Sequence, residues 1–141
     1  MIHRDQHTQL SITTPILDAS AFMTLAEDLS PTIAREYLTA FTSLLETRIT
    51  DITNALAHHA QDTEDAKNLK DADVVMDAVL NLRAGASMAG ARRVYLLMTT
   101  ALSDIRADRV RPEILIRELK NEARAFKTAV ARLQHPSAHA A

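Results

Sequence analysis

Both glycines of the chain fall within one stretch, residues 79–91, which reads Val-Leu-Asn-Leu-Arg-Ala-Gly-Ala-Ser-Met-Ala-Gly-Ala. Outside that stretch only four prolines punctuate the backbone, and the composition is rich in alanine and poor in aromatics. That combination predicts an all-α protein. Gly85 sits inside a helical pattern, at a cost of about 1 kcal/mol relative to alanine, and Gly90 sits where the pattern is ready to end. A helix terminus built from small residues is expected there.

Start signals and apolar spacing order the rest of the chain. Residues 1–14 are polar and read as a tail, with His3 and His7 in it. Asp18 is the first good N-cap, ahead of a short helix with Phe22, Leu25 and Ala26 on its apolar side. Ser30-Pro31 gives a second start, a serine cap with proline in the first turn. From there Ile33, Tyr37, Phe41, Leu44, Leu45, Ile52 and Leu56 recur at helical spacing, which predicts one long helix to about His58 or His59. Plausible caps at Thr63 and at Asp71 leave two starts open for the next helix. The preferred reading of the connection is a protruding hairpin of solvated helix.

At about 100° per residue, Val75, Val79, Leu82 and Ala86 form the buried stripe of the third helix, and Leu80 lies about 130° and Ala84 about 170° from its centre. Leu80 is therefore expected to face outward. With Met76 on the flank, Met76, Leu80 and Ala84 make an apolar strip where a solvated face would carry charge, a pattern that suggests a surface covered part of the time. After Gly90-Ala91 a fourth helix points Val94, Tyr95, Met98, Ala101, Leu102 and Ile105 inward and Arg92, Arg93, Arg106 and Arg109 outward. Pro112 starts a fifth helix with Leu115, Leu119, Ala123, Phe126, Val130 and Leu133 on its core side. Short links between long helices predict an up-down antiparallel four-helix bundle with a short extra N-terminal helix, spanning residues 15–134 between tails at 1–14 and 135–141.

At 141 residues, 47% apolar and 24% charged, the chain is expected to form one domain with enough core to fold alone. A net charge of −2 and a pI near 6.3 give no reason to expect nucleic acid as a partner. No cysteine is present. No apolar run approaches the roughly 20 residues that span a bilayer, and the start is too polar for a signal peptide. A cytoplasmic protein without membrane contact is the expectation. His58 and His59 point about 100° apart and read as surface residues. Met23 and Met98 read as core filler. No phosphate loop, nucleophile-and-base set or metal motif is found, so no metal, cofactor or catalytic residue is expected.

The spacing around Gly90 resembles the signature of histidine phosphotransfer (HPt) domains, Ala-His-x-Leu-Lys-Gly-x-Ala followed three residues later by Gly-Ala. Leu82 matches the leucine, Arg83 replaces the lysine, Ala84 and Ala86 take the small sites, and Gly90-Ala91 match the closing pair. The resemblance covers about residues 16–134 and implies the same four-helix fold. It also puts Leu80 where the family carries its phosphate-accepting histidine. A leucine has no nucleophilic nitrogen and forms no phosphoramidate.

The resemblance therefore implies a degenerate, non-catalytic HPt-like module of two-component phosphorelay signalling. Its partner would be a response-regulator receiver domain or a histidine kinase, bound through Met76, Leu80, Arg83, Ala84 and Ser87. In the family the lysine helps to hold the phosphoryl group, which Arg83 would suit, and Ala84 crowds the place of a glycine that lets the receiver approach. Two other readings stand beside it: a helical module whose strip makes a homodimer, and an active phosphotransfer protein using another histidine.

Overall fold

The computed structural model describes residues 14–61 and 65–134, and for residues 59–61 and 65–72 the backbone alone. Among the described residues there are five helices and no strand: α1 (Ala19–Asp28), α2 (Pro31–Gln61), α3 (Asp65–Ala89), α4 (Arg92–Arg106) and α5 (Pro112–Gln134). None of them is long and apolar enough to cross a membrane.

The caps act as expected. The Asp18 carboxylate accepts from the Ser20 N–H at 3.0 Å and from the Ser20 hydroxyl at 2.6 Å. The Ser20 hydroxyl does most to hold the Asp18 carboxyl below its ordinary value; its backbone N–H, that of Ala21 and the charge of Arg92 help, and desolvation opposes them. Because the folded value is depressed, the stabilisation is present above the unfolded value of about 3.9 and is lost as pH falls through the folded one. Asp18→Ala is thus expected to cost about 1 kcal/mol near neutral pH. In urea titrations the gap from wild type should narrow below about pH 4. A gap that does not change with pH would mean the carboxylate's charge adds nothing to the cap. At the next start, Ser30 Oγ accepts from the Ile33 N–H at 3.0 Å, with Pro31 in the first turn.

Two helices end in the same way. The Ala91 N–H reaches the Ala86 carbonyl at 2.9 Å and the Gly90 N–H reaches Ser87 at 3.4 Å, with Gly90 at φ +75°. This is a Schellman turn, which places its C′ residue in the left-handed region. At the end of α4 the Arg109 N–H bonds to Asp104 at 2.7 Å and the Asp108 N–H to Ile105 at 3.1 Å, with Asp108 at φ +56°. The first turn also anchors α1, since the Asp18 N–H donates to the Gly90 carbonyl at 2.7 Å.

Helices α2, α3, α4 and α5 each touch the next, α5 returns to α2, and α1 rests on α2 and α3. They share one core, whose largest fully buried side chains include Phe126, Leu38, Leu45, Ile52, Leu82 and Met98. The predicted α3 stripe is there: Val75, Val79, Leu82 and Ala86 are all at or below 1% exposure.

Several expectations need correction. Met23 is exposed rather than core filler, unlike Met98. It neighbours the half-buried Phe22 on α1, about 100° round the helix from it, and α1 packs mainly on α2 and α3. Ile33 and Leu44 are exposed too, because the buried line of α2 runs through Ala34, Leu38, Phe41 and Leu45, one residue further on. Leu133 is exposed because α4 does not extend that far: Arg93, near the start of α4, already pairs with Glu122. Of the two starts left open for α3, the helix begins at Asp65, near Thr63 and not at Asp71, and α2 runs to Gln61. The predicted tails lie outside the described residues, apart from Thr14.

Candidate functional site

Opposite the buried stripe, α3 presents Leu80, Ala84 and Met88, all exposed, with Leu80 at 38% and Met88 at 55%. Residues four apart lie one above another on a helix, so these three form a ridge. Asn81 and Ser87 are exposed beside it, and Asp73 and Asp77 continue the outward face toward the N-terminal half. Met76 departs from the expected strip. It is half-buried and packs against the core, because it turns to the flank facing α4. Met88, not singled out from the sequence, lies four residues beyond Ala84 and extends the ridge in its stead.

On the flank toward α2, the Gly85 carbonyl accepts from the Tyr37 hydroxyl at 3.3 Å. A Cβ at Gly85 would stand 3.0 Å and 3.2 Å from two ring carbons of Phe41. The glycine therefore lets that ring close on α3, which outweighs its low helix propensity. Burial pushes the Tyr37 hydroxyl above its ordinary pKa, so it stays a proton donor to this carbonyl. By helical phase, the exposed Ile33 and Leu44 share the Tyr37 side of α2 and widen the apolar surface next to α3.

On the flank toward α4, Arg83 reaches sideways. Its Nε donates to Thr99 Oγ1 at 3.0 Å and its Nη2 to the Tyr95 hydroxyl oxygen at 3.1 Å. Thr99 Oγ1 in turn donates to the Tyr95 carbonyl at 3.0 Å. The guanidinium carbon stands 5.0 Å from the Tyr95 ring centre, and that of Arg92 stands 5.5 Å from the same ring. Such contacts contribute about 0.5–1 kcal/mol at exposed sites. Arg83 is thus tied to α4, at the edge of the ridge and not upon it. Nothing in the sequence links Arg83 to Tyr95, twelve residues away across a turn.

Of the five positions predicted on this face, Leu80, Ala84 and Ser87 are exposed on one side of α3, while Met76 and Arg83 border it on the α4 side. Helices α3, α4 and α5 contain no histidine, and His58 is exposed near the end of α2. The side chain of His59 lies outside the described residues, as do His3 and His7. Among the described residues no three His, Asp or Glu side chains gather to hold a metal ion. No family model matches the chain, and neither the curated proteins nor the solved structures yield a match.

Proposed function

We propose that the protein is a degenerate HPt-like module, an up-down antiparallel four-helix bundle with one extra helix. It acts in the cytoplasm and binds a receiver or histidine kinase domain without passing on a phosphoryl group. The ridge of Leu80, Ala84 and Met88 carries this reading, because an exposed apolar line occupies the surface on which the resembling family presents its histidine. Support for the bundle comes from the closed order of helix contacts and from the tight α3–α4 and α4–α5 turns. Arg83, held against Tyr95, would meet the partner with its side chain already ordered, which lowers the entropy lost on binding.

The experiment is a binding titration of receiver and kinase domains against wild type and Leu80→Asp. Leu80 is exposed, so the variant should fold normally. Losing an apolar anchor worth about 1.5–3 kcal/mol on full burial should weaken binding by roughly 10- to 100-fold. Equal affinity for the two proteins would remove this ridge as the docking face. Light scattering addresses self-association, since a dimer of the wild type that Leu80→Asp dissolves would assign the ridge to a second copy instead.

A further inference from the structure

Helices α2 and α5 are joined along part of their length by close contacts. The Phe41 and Phe126 rings meet edge to face at 5.6 Å, Lys127 pairs with Glu46 at 2.8 Å, and Gln134 Nε2 donates to Thr39 Oγ1 at 3.0 Å. Toward the end of α2 and the start of α5 they leave a groove of about 710 Å³. A second hollow of about 460 Å³ lies beside it, with Lys120 and Arg124 common to both and the Glu46–Lys127 pair on its own lining.

The floor of the groove is apolar, with Leu56 fully buried and Ile116 half-buried against the core. Its walls differ. The α2 side offers Thr53 and Ala57 and no charge, and Thr53 Oγ1 donates to the Ile49 carbonyl of its own helix at 2.8 Å. The α5 side offers Arg117, Lys120 and Arg124, all exposed, against the single carboxylate of Glu113. Among the described residues none of these three cations is in an ion pair, and Arg124 reaches only Asn121 Oδ1, at 3.4 Å. Lys120 and Arg124 stand four apart on one helix, where like charges repel and destabilise it. The close spacing of Lys120 and Arg124 is thus unfavourable for α5 itself, and the row of cations borders the apolar floor on one side only.

We infer that this groove is a second docking site, and that its occupant is an amphipathic acidic helix of a partner protein. The apolar side of that helix lies on Ile116, Pro112 and Ala57, and its carboxylates line up on one flank against Arg117, Lys120 and Arg124. Helix-in-groove recognition combines such an apolar stripe with flanking charge. A free phosphate is a poorer match, because the cations are exposed and the floor offers it only hydrocarbon. The inference does not rest on the α3 ridge, which belongs to other helices.

Fluorescence anisotropy with the full chain tests it. The probes are a labelled peptide of roughly 16 residues, with leucine at helical i, i+4, i+7 spacing and glutamate elsewhere, and a counterpart with lysine for every glutamate. The acidic probe should bind saturably, the basic one should not, and binding should weaken as salt rises from about 0.05 M to about 0.5 M. The double variant Lys120→Glu, Arg124→Glu, whose fold circular dichroism checks, should bind the acidic probe at least roughly tenfold more weakly. Leu80→Asp should bind it like wild type, which separates this site from the α3 ridge. Equal binding of both probes, no saturable binding, undiminished binding by the double variant or loss in Leu80→Asp would each overturn the inference. A wild-type dimer that the double variant dissolves would overturn it too, by giving the groove to a second copy.

Discussion

Phe126→Ala should lower the unfolding free energy by about 4 kcal/mol, among the largest effects expected of a single substitution in this chain. The ring is fully buried on α5 and meets the Phe41 ring of α2 at 5.6 Å and 89°, while Phe41 lies against Gly85 of α3. One truncation thus opens a void among three helices and removes an edge-to-face pair worth about 0.5–1.5 kcal/mol beyond its area. Domains of this kind are stable by only about 5–15 kcal/mol, so the loss is a large share of the whole. Urea unfolding checks it: the midpoint should drop with the slope unchanged, and Phe126→Leu, which keeps most of the volume, should lose under about 1.5 kcal/mol. A midpoint within experimental error of wild type would mean that the ring does not hold the three helices together.

Gly90→Ala should cost about 3 kcal/mol and lower the melting temperature by about 10 °C. Gly90 is at φ +75°, where a Cβ brings a penalty of about 1–2 kcal/mol. A Cβ there would also stand 2.6 Å from the Asp18 carbonyl oxygen and 3.1 Å from Ala21 Cβ. Backbone must move, and the bond from the Asp18 N–H to the Gly90 carbonyl is stretched with it. Gly90→Asn separates the two causes, because asparagine tolerates the left-handed region but still carries a Cβ. An asparagine variant close to alanine in stability points to the collision with Asp18, and one close to wild type points to backbone conformation. Scanning calorimetry on the three proteins decides the matter, and an alanine variant as stable as wild type would refute both.

The parts of the fold legible in the sequence are those fixed by local chemistry. Asp18, Ser30 and Gly90 each act within a few residues of themselves, so their roles could be read directly. The α3 stripe was legible because Asp73, Asp77 and Asn81 mark the opposite face, although Met76 and Leu80 also stand between its members. On α2 two apolar lines run side by side, Ile33-Tyr37-Leu44 and Ala34-Leu38-Leu45, and residue size favours the wrong one. What decides between them is the shape of α3, where Gly85 admits Phe41. Leu133 keeps the right phase, and its exposure depends on where α4 begins relative to α5. Met88 continued a visible spacing and could have been found. The clamp of Arg83 on Tyr95 could not, because it depends on how two helices meet.

Helix α1 contributes no fully buried side chain. Phe22 and the preceding Ile16 and Leu17 are only partly buried against the core, and one backbone bond ties Asp18 to Gly90. Little free energy therefore fastens this element compared with the helices below it, and it is the element expected to open first. When it lifts, Ala89, Gly90 and Ala91, all buried in the closed form, lose a cover while the main core remains intact. A molecule that touched α1 as it lies here would hold it down over this turn, and one that bound the uncovered turn would favour its release.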